Sequence, residues 1–437
     1  LRDATPLDTQ VRIYYSSENM AMQWLNAKRK DALKNLGKDL TTGTLRSLCR
    51  NFLYIQPSYI MADDIKQGGL RDCKLLLLPL ASNMDDATIA AVKAYVRNGG
   101  FVVADVLPAT RELYGKPRAQ SALLDLFGVE DTGGAIHGES EVWYSIGMYD
   151  FTPDGKPLKD VLTWLPANTW QLGVKATTAS TLGMALSKEG KEAPACFLNS
   201  FGQGKALLLN FIYRDLNQDT SGWHLLFGDA LQRLAGLRPP ARLLDPATGA
   251  PLSYRPVFAF RYGQATLLGS IRGNSVWSGD GPVLMDPARA MDLSDTATFK
   301  WEGKQYAYNV RARKYLGYVD AATIDLPSFE GRLLALLPYQ VTGVTLTAAP
   351  RVNAGENLTL TAQVTTGGPD PGDHLLRLEV YSPTGNAVLL YARTLKAPGG
   401  TAECTIPFAF NDRPGKWKIV VRDVLTGVEG QHALQVD

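Results

Sequence analysis

The chain has 437 residues, of which 45% are hydrophobic and 20% are charged. At a typical domain size of about 150 residues, this length predicts about three domains, each able to bury a core. The 45 basic and 43 acidic residues give a net charge of +2, and no segment gathers basic residues densely enough to predict nucleic-acid binding. The longest apolar runs, such as residues 75–80, are far below the roughly 20 residues that span a bilayer, so no membrane span is predicted.

The four cysteines, Cys49, Cys73, Cys196 and Cys404, lack the C-x-x-C spacing of zinc and redox sites. Such sparse usage favours buried free thiols, and a Cys49–Cys73 disulfide is the alternative if their elements meet. The Asp-containing loops lack the regular ligand spacing of a calcium site, and phosphate-binding glycine loops are missing. We therefore predict no metal and no cofactor.

The first 240 residues alternate strand and helix patterns. Strands are predicted at 11–15, 52–55, 74–80, 101–104 and 205–211, and helices at 19–36, 61–66, 85–97 and 223–234. The clearest helix places Ile89, Val92 and Val96 on one face and ends at Gly99-Gly100. Such alternation favours a parallel sheet, and hence a Rossmann-like α/β domain over 1–240. Residues 135–180 are predicted to be an insertion with β character.

The rest of the chain is predicted to be all β. The breaker cluster Arg238-Pro239-Pro240 marks a boundary near residue 240. A β-sandwich domain is predicted over 241–340, with one hairpin over 257–271 that turns at 262–264 and another over 296–310 that turns at 302–304. Alternating apolar residues after 341 predict an immunoglobulin-like sandwich over 341–437.

Several segments of the first domain resemble one known family. They are the strand at 75–80 (LLLLPL), the Asp85 helix, Gly99-Gly100, the strand at 101–105 (FVVAD), the opening VRIYYS at 11–16 with Trp24, and GQGKALLL at 202–209. Together they resemble the trimerisation domain of family 42 β-galactosidases, which has a class I glutamine-amidotransferase-like fold. In such hydrolases a β/α barrel carries the chemistry, the amidotransferase-like domain makes trimer contacts, and a small β domain follows.

The resemblance implies a homo-oligomer, with a trimer favoured, and a catalytic barrel upstream of Leu1. The final domain departs from the simplest family members. Its residues 415–421 (GKWKIVV), followed by Asp423 and Gly427, look like the macroglobulin-type sandwich modules of exported bacterial proteins. The expected location is therefore secreted, periplasmic or at the bacterial cell surface.

The sequence lacks the catalytic residues of a retaining glycosidase and those of a glutamine amidotransferase. A retaining glycosidase needs two carboxyl groups about 5 to 5.5 Å apart in one barrel, and the Asn-Glu dipeptide of related barrels does not occur. Amidotransferase chemistry needs a cysteine after a central strand, but the strand at 101–104 runs into Asp105. We therefore predict that this chain is not catalytic.

Two sets of residues remain as candidate ligand sites. Asp105 follows a parallel strand, where open α/β sheets bind ligands, and could form a polar pocket with Glu112, Glu18 and His137; a turn-capping role for Asp105 is the alternative. A second set of aromatic residues is predicted to stack on sugar rings or to pack in the core or at subunit contacts: Trp143, Tyr144, Trp164, Trp170, Trp223 and Trp277.

The leading hypothesis is thus an oligomerising, accessory portion of a β-galactosidase-like glycoside hydrolase, with carbohydrate as a second partner. The competing hypothesis is a glycan-binding or structural surface module without an attached hydrolase barrel. A third is a free-standing enzyme with a site around Asp105 and Glu112, which requires convergent carboxylates and a histidine.

Overall fold

The structure is a computed structural model that describes residues 3–7, 10–26, 54–133, 136–137, 144–147, 162–165, 170–186, 192–212, 231–250, 252, 257–271, 275–278, 281–284, 296–327 and 330–437. The chain divides into two compact units. We call them the α/β unit, which comprises residues 8–239 and 275–283, and the β unit, which comprises residues 1–7, 240–274 and 284–437.

The α/β unit begins with alternating strands and helices. Its helices are α1 (Ser17–Asn26), α2 (Ala62–Lys66), α3 (Asp86–Arg97) and α4 (Leu124–Phe127), and a further helical segment covers residues 231–234. Its first strands are β2 (Val11–Tyr14), β3 (Ser58–Ile60), β4 (Leu75–Leu78), β5 (Phe101–Asp105) and β6 (Val129–Asp131).

Strands β7 to β11 lie in the segment predicted as a β-rich insertion. They are β7 (Ile136–His137), β8 (Tyr144–Gly147), β9 (Leu162–Leu165), β10 (Trp170–Gln171) and β11 (Val174–Ala176). The unit continues with β12 (Ser180–Leu186), β13 (Glu192–Phe201) and β14 (Gly204–Leu209).

One sheet of nine strands organises this unit, in the order β3-β2-β4-β5-β14-β13-β12-β8-β9. The first five strands are parallel, and the remaining four pair antiparallel. Helices α1 and α3 each follow one parallel strand and precede another in the sequence, as a parallel sheet requires. The expected parallel strands are therefore present, together with an antiparallel extension.

Both faces of the parallel strands are buried, which explains their continuous apolar sequences. Alternate residues of β4 enter two different hydrophobic clusters: Leu75 and Leu77 join one, and Leu76 and Leu78 join the other. Helix α3 contributes its apolar face, which includes Ile89, to the second cluster. Its start is fixed by Asp85, whose side chain accepts a hydrogen bond from the Thr88 backbone N–H at 2.9 Å.

The strand predicted at 52–55 is wrong where the structure describes it. Tyr54 has a φ of 69°, which belongs to a left-handed turn and not to a strand. Strand β3 lies instead at Ser58–Ile60, where it pairs parallel with β2. The apolar residues of 52–55 have a composition typical of a strand. The segment that pairs with β2, however, is the later one at 58–60.

The β unit contains β1 and most of the strands from β15 onward. Its strands before residue 341 are β1 (Thr5–Pro6), β15 (Ala241–Leu244), β16 (Val257–Tyr262), β17 (Ala265–Ile271), β20 (Thr296–Asn309), β21 (Lys314–Asp325) and β22 (Gly331–Leu337). They form one sheet in the order β1-β16-β17-β22-β20-β15, with β21 paired to β20. Strands β18 (Ser275–Ser278) and β19 (Gly281–Leu284) form a separate pair.

Two further sheets follow. The strands are β23 (Val341–Ala348), β24 (Arg351–Val352), β25 (Asn357–Thr366), β26 (His374–Tyr381), β27 (Arg393–Ala397), β28 (Thr401–Pro407), β29 (Gly415–Asp423) and β30 (Glu429–Val436). One sheet is β23-β25-β28 and the other is β24-β30-β29-β26-β27. A single hydrophobic cluster joins both to the preceding sheet, from Leu267 through Tyr308 to Leu434. The described chain is thus mainly β, in several sheets.

The two predicted hairpins of the β unit have different outcomes. The hairpin over 257–271 is confirmed, because β16 and β17 pair around residues 263–264. The hairpin predicted over 296–310 is wrong: these residues form the single strand β20, which pairs with β21. The Glu302-Gly303-Lys304 turn signal lies in a register shift between Lys300 and Gln305, since glycine suits a bulge as well as a turn.

Candidate functional site

The carboxyl edge of the parallel strands holds the predicted ligand residue Asp105. This carboxylate is buried at the end of β5, with a relative exposure of 2%, and its Oδ1 accepts a hydrogen bond from the Leu80 backbone N–H at 2.5 Å. Leu80 follows the neighbouring strand β4. The side chain therefore stabilises the turn after the neighbouring strand β4; the predicted capping of the turn after its own strand stays a prediction.

The backbone around Asp105 adopts an uncommon conformation. Leu80, Val106 and Ala109 have φ values of 45°, 50° and 52°, and none of them is glycine. A left-handed conformation is especially unfavourable for a β-branched residue such as Val106, and such positions cost on the order of 1 to 3 kcal/mol each. The hydrogen bond from Leu80 to Asp105 is one of the contacts that compensate this strain.

A buried asparagine pair ties helix α1 to the same edge. Asn19 Oδ1 accepts hydrogen bonds from the Asn83 backbone N–H at 2.6 Å and from Ser82 Oγ at 3.0 Å. Asn83 Nδ2 in turn donates to the Leu113 carbonyl at 3.1 Å. These bonds connect α1, the turn after β4 and the loop after β5. The sequence analysis missed this asparagine pair. Both residues come after apolar strands, at the sheet edge where polar side chains of α/β proteins are often found.

The other predicted carboxylates have partners of their own. Glu18 Oε2 accepts hydrogen bonds from Ser16 Oγ at 3.0 Å and Ser17 Oγ at 3.2 Å. Glu112 forms an exposed ion pair with Lys116 at 3.1 Å. These contacts join Glu18 and Glu112 to residues outside the predicted set. A shared ligand pocket remains a prediction.

The described members of the predicted histidine and aromatic set lie in strands of three different sheets. His137 lies in β7, where its backbone pairs with Trp170 of β10. Tyr144 lies in β8, Trp164 in β9 and Trp277 in β18. Trp143 and Trp223 are outside the described residues. Their stacking or contact role stays a prediction.

Burial makes the described thiols poor nucleophiles. Burial raises the pKa of the Cys73 thiol, and it raises the pKa of Cys196 more strongly. Cys404, in β28, also has a pKa raised by burial. Because the thiolate is the reactive form, none of these three is activated at neutral pH. Cys49 is outside the described residues, so its pairing with Cys73 also stays a prediction.

The described residues contain neither a metal-binding cluster nor a helix that could span a membrane. In that part of the chain, no group of three or more His, Cys, Asp or Glu side chains is arranged to hold a metal ion. No helix there is both long and apolar enough to cross a bilayer.

Three large apolar side chains are exposed at the carboxyl edge of the sheet. Tyr59 and Met61, at the end of β3 and the start of α2, are each 55% exposed, and Tyr114, in the loop after β5, is 88% exposed. We call Tyr59, Met61 and Tyr114 the carboxyl-edge patch. Large exposed apolar side chains at one edge of a sheet are a common feature of protein contact sites.

Comparison with protein families matches residues 60–237 to the model of the β-galactosidase trimerisation domain. The predicted resemblance to this domain is confirmed. The match contains β4 and β5, helices α2 to α4, Asp105 and two residues of the carboxyl-edge patch. It covers less than half of the 437 residues.

Solved structures extend the likeness of the fold beyond the trimerisation-domain segment. The chain is similar to a catalytic mutant of a GH42 β-galactosidase from G. stearothermophilus, with a TM-score of 0.54 and 16% identity over 76% of this chain and 41% of that chain. It is similar to a β-galactosidase from Bacillus circulans sp. alkalophilus, with a TM-score of 0.53 and 15% identity over 76% and 42% of the two chains.

A third similar structure is a cold-adapted β-galactosidase from Rahnella sp. R3, with a TM-score of 0.50 and 14% identity over 75% of this chain and 41% of that chain. At these identities the likeness concerns the fold alone. This chain spans about two fifths of the length of the three solved structures, at 41% to 42% of each. No curated protein sequence matches the chain.

Proposed function

We propose that this chain is the oligomerising and accessory portion of a β-galactosidase-like glycoside hydrolase. The observation that carries the proposal is the match of residues 60–237 to the β-galactosidase trimerisation domain. The likeness of the fold to three β-galactosidases supports it over most of the chain. The hydrolytic carboxylate pair then belongs to a separate β/α barrel of the same protein, and carbohydrate is its substrate class.

The finer fold assignment is part of the same proposal. Five parallel strands in the order β3-β2-β4-β5-β14 support a Rossmann-like, class I glutamine-amidotransferase-like core for the α/β unit. The two sheets after residue 341, which share one hydrophobic core, support an immunoglobulin-like, macroglobulin-type sandwich. By that resemblance we propose an exported protein.

Two features of the carboxyl edge favour a structural role over a catalytic one. The Asp105 carboxylate is buried and bonded to a backbone N–H, where it has no open path to a substrate. The described thiols have raised pKa values, and the position after β5 that an amidotransferase-type nucleophile would require holds Val106. We therefore propose that this edge supports assembly instead of acyl transfer.

The carboxyl-edge patch is the contact surface that we propose for assembly with further copies of this chain. Met61 and Tyr114 lie inside the trimerisation-domain segment, and Tyr59 precedes it by one residue. The patch is bordered by acidic and basic side chains that include Asp63, Lys66 and Lys116. In a cyclic trimer, this surface of one copy would meet a different surface of the next copy, and a mixture of charges allows each sign to meet its opposite there.

Light scattering of the 437-residue chain, over a range of protein concentrations, tests the proposal. The expected mass is three times 47.6 kDa. A mass of 47.6 kDa at every concentration would refute the oligomerising role, while the fold comparison would be unaffected.

A further inference from the structure

Four tyrosines lie on one face of the long hairpin formed by β20 and β21. Tyr306 lies opposite Tyr318, with ring centroids 4.7 Å apart, and Tyr308 lies opposite Tyr315, with centroids 5.1 Å apart. We call these four residues the tyrosine face. Aromatic pairs at this separation stabilise each other and hold their rings in defined orientations.

A bulge in β21 is what brings the two pairs together. Tyr315 and Tyr318 are three residues apart, so a regular strand would point them to opposite faces of the sheet. The pairing shifts between Ala307 and Tyr308, which leaves Leu316 as an extra residue. Gly317 has a φ of 116°, which other residues rarely adopt. Bulges of this kind re-aim side chains, and here the bulge aligns the tyrosines.

The inner and outer rings of the tyrosine face have different environments. Tyr308 is buried, and its hydroxyl accepts a hydrogen bond from the Val341 backbone N–H at 3.0 Å. The outer rings of Tyr315 and Tyr318 are 39% and 53% exposed. The buried ring therefore anchors a stacked group whose outer members present aromatic surface and hydroxyl groups to solvent.

The hairpin beside these rings is basic. Residues 303–319 contain Lys304, Arg311, Arg313 and Lys314 and no acidic residue. All four basic residues are exposed, and none forms an ion pair with an acidic side chain among the described contacts. Lys300, nearer the start of β20, is neutralised by Asp320. Lys304 lies within electrostatic reach of Asp320, and Arg311 within reach of Glu330, so the positive charge beside Tyr315 comes mainly from Arg313 and Lys314.

We propose that the tyrosine face and its basic turn bind a glycan chain that carries anionic groups. The C–H face of a sugar ring packs against exposed tyrosine rings, whose hydroxyls hydrogen-bond to sugar hydroxyls. The exposed Arg313 and Lys314 complement carboxylate or sulfate groups on the same chain. The rigid two-stranded support preorganises the surface. This function is separate from oligomerisation, which we assign to the α/β unit.

Isothermal titration calorimetry of the 437-residue chain tests the proposal with three oligosaccharide probes: oligogalacturonate, a sulfated galactan oligosaccharide and a neutral galactan oligosaccharide. One or both anionic probes are expected to bind about tenfold more tightly than the neutral one, and less tightly as NaCl is raised. Which anionic probe binds more tightly identifies the preferred group. Absence of binding to both anionic probes would overturn the proposal.

Variants locate the binding surface. The double change Tyr315→Ala with Tyr318→Ala is expected to weaken binding of the anionic probe about tenfold or more, and Arg313→Gln with Lys314→Gln by a similar factor. Tyr318→Phe keeps the ring and is expected to retain most of the affinity, even if the alanine variants prove unstable. The matched controls are Phe410→Ala and Lys416→Gln, at exposed positions elsewhere in the β unit.

Two results would contradict this location or this ligand. Unchanged affinity in both double variants, with circular dichroism that matches the parent, would exclude the tyrosine face. Tighter binding of a single-stranded DNA oligonucleotide than of either anionic glycan would instead assign the surface to nucleic acid, which also combines aromatic stacking with basic side chains.

Discussion

Two buried aspartates, one in each unit, are used in different ways. Asp105 of the α/β unit accepts a hydrogen bond from the backbone of a turn one strand away. Asp423 of the β unit is completely buried and bonds to side chains: His374 Nδ1 lies 3.0 Å from its Oδ1, and Thr426 Oγ1 donates to its Oδ2 at 2.6 Å.

The network of Asp423 extends further than that of Asp105. The other ring nitrogen of His374, Nε2, lies 3.0 Å from the Tyr339 hydroxyl, which accepts a hydrogen bond from the Gly372 backbone N–H at 2.7 Å. This network links β26, β29 and the segment after β22 inside one hydrophobic core. The comparison indicates that both buried carboxylates have a structural role. The contribution of each to folding stability should grow with the number of buried groups that hydrogen-bond to it.

The largest effect is expected for Asp423→Ala. The substitution leaves His374 and Thr426 buried without their partner, so we expect the β unit to lose about 3 to 5 kcal/mol of stability. Hydrogen exchange of peptides from β26 and β29 measures the loss locally. Asp370→Ala, at an exposed position, is the control, and equal exchange in the two variants would contradict a structural role for the network.

A smaller loss is expected for Asp105→Ala. This change removes the acceptor of the Leu80 N–H next to three left-handed residues, and we expect a cost of about 1 to 3 kcal/mol, measured by hydrogen exchange in β4 and β5. Asp105→Asn keeps a side-chain oxygen and should be milder. If Asn and Ala destabilise equally, the hydrogen bond to Leu80 is not the important contact.

The start of helix α3 should show a weaker, pH-dependent effect. Burial acts against ionisation of Asp85, but hydrogen bonds from Thr88 prevail and hold the pKa of the Asp85 carboxyl below its usual value. Its contribution to stability is therefore present above the unfolded pKa of about 3.9 and lost as pH falls through the lower folded pKa. Asp85→Ala should cost about 1 kcal/mol at neutral pH.

Urea unfolding of the Asp85 variants between neutral and acidic pH checks this prediction. Asp85→Asn retains the cap but does not ionise at this position, so its stability should change less with pH than that of the parent. A parent and an Asn variant with the same pH dependence would show that the lowered pKa of Asp85 does not contribute.

The smallest effect is expected at the exposed ion pair of Glu112 and Lys116. Lys116→Ala should change the free energy of unfolding by less than about 0.5 kcal/mol, because exposed pairs gain little in water. Urea unfolding of this variant measures the change, which should be the smallest of those predicted here. A loss comparable to that of Asp105→Ala would show that the loop after β5 has a larger structural role than its exposure indicates.

Local signals allowed much of the α/β unit to be predicted. The apolar run of β4, the capped helix α3 and the Gly99-Gly100 stop each reflect short-range preferences, and the structure contains them. The strand predicted at 52–55 failed because the choice between that segment and β3 depends on pairing with β2, which is distant in sequence.

The parts that could not be predicted depend on long-range pairing. A Glu-Gly-Lys signal fits a turn and a bulge equally well, and the pairing of β20 with β15, β21 and β22 decides for a bulge. His374 and Asp423 are 49 residues apart, so nothing in the local sequence predicts their contact. The tyrosine face was missed because its spacing fits one side of a strand only when the bulge at Gly317 is known.

Sedimentation velocity of the parent chain beside the double variant Met61→Asp with Tyr114→Asp tests the central claim most directly. If copies assemble through the carboxyl-edge patch, the parent should sediment as a trimer and the double variant as a monomer of 47.6 kDa, because two carboxylates would be buried in each contact. Leu389→Asp with Leu390→Asp, at exposed apolar positions of the β unit, should remain a trimer. A double patch variant that sediments like the parent would contradict assembly through this edge.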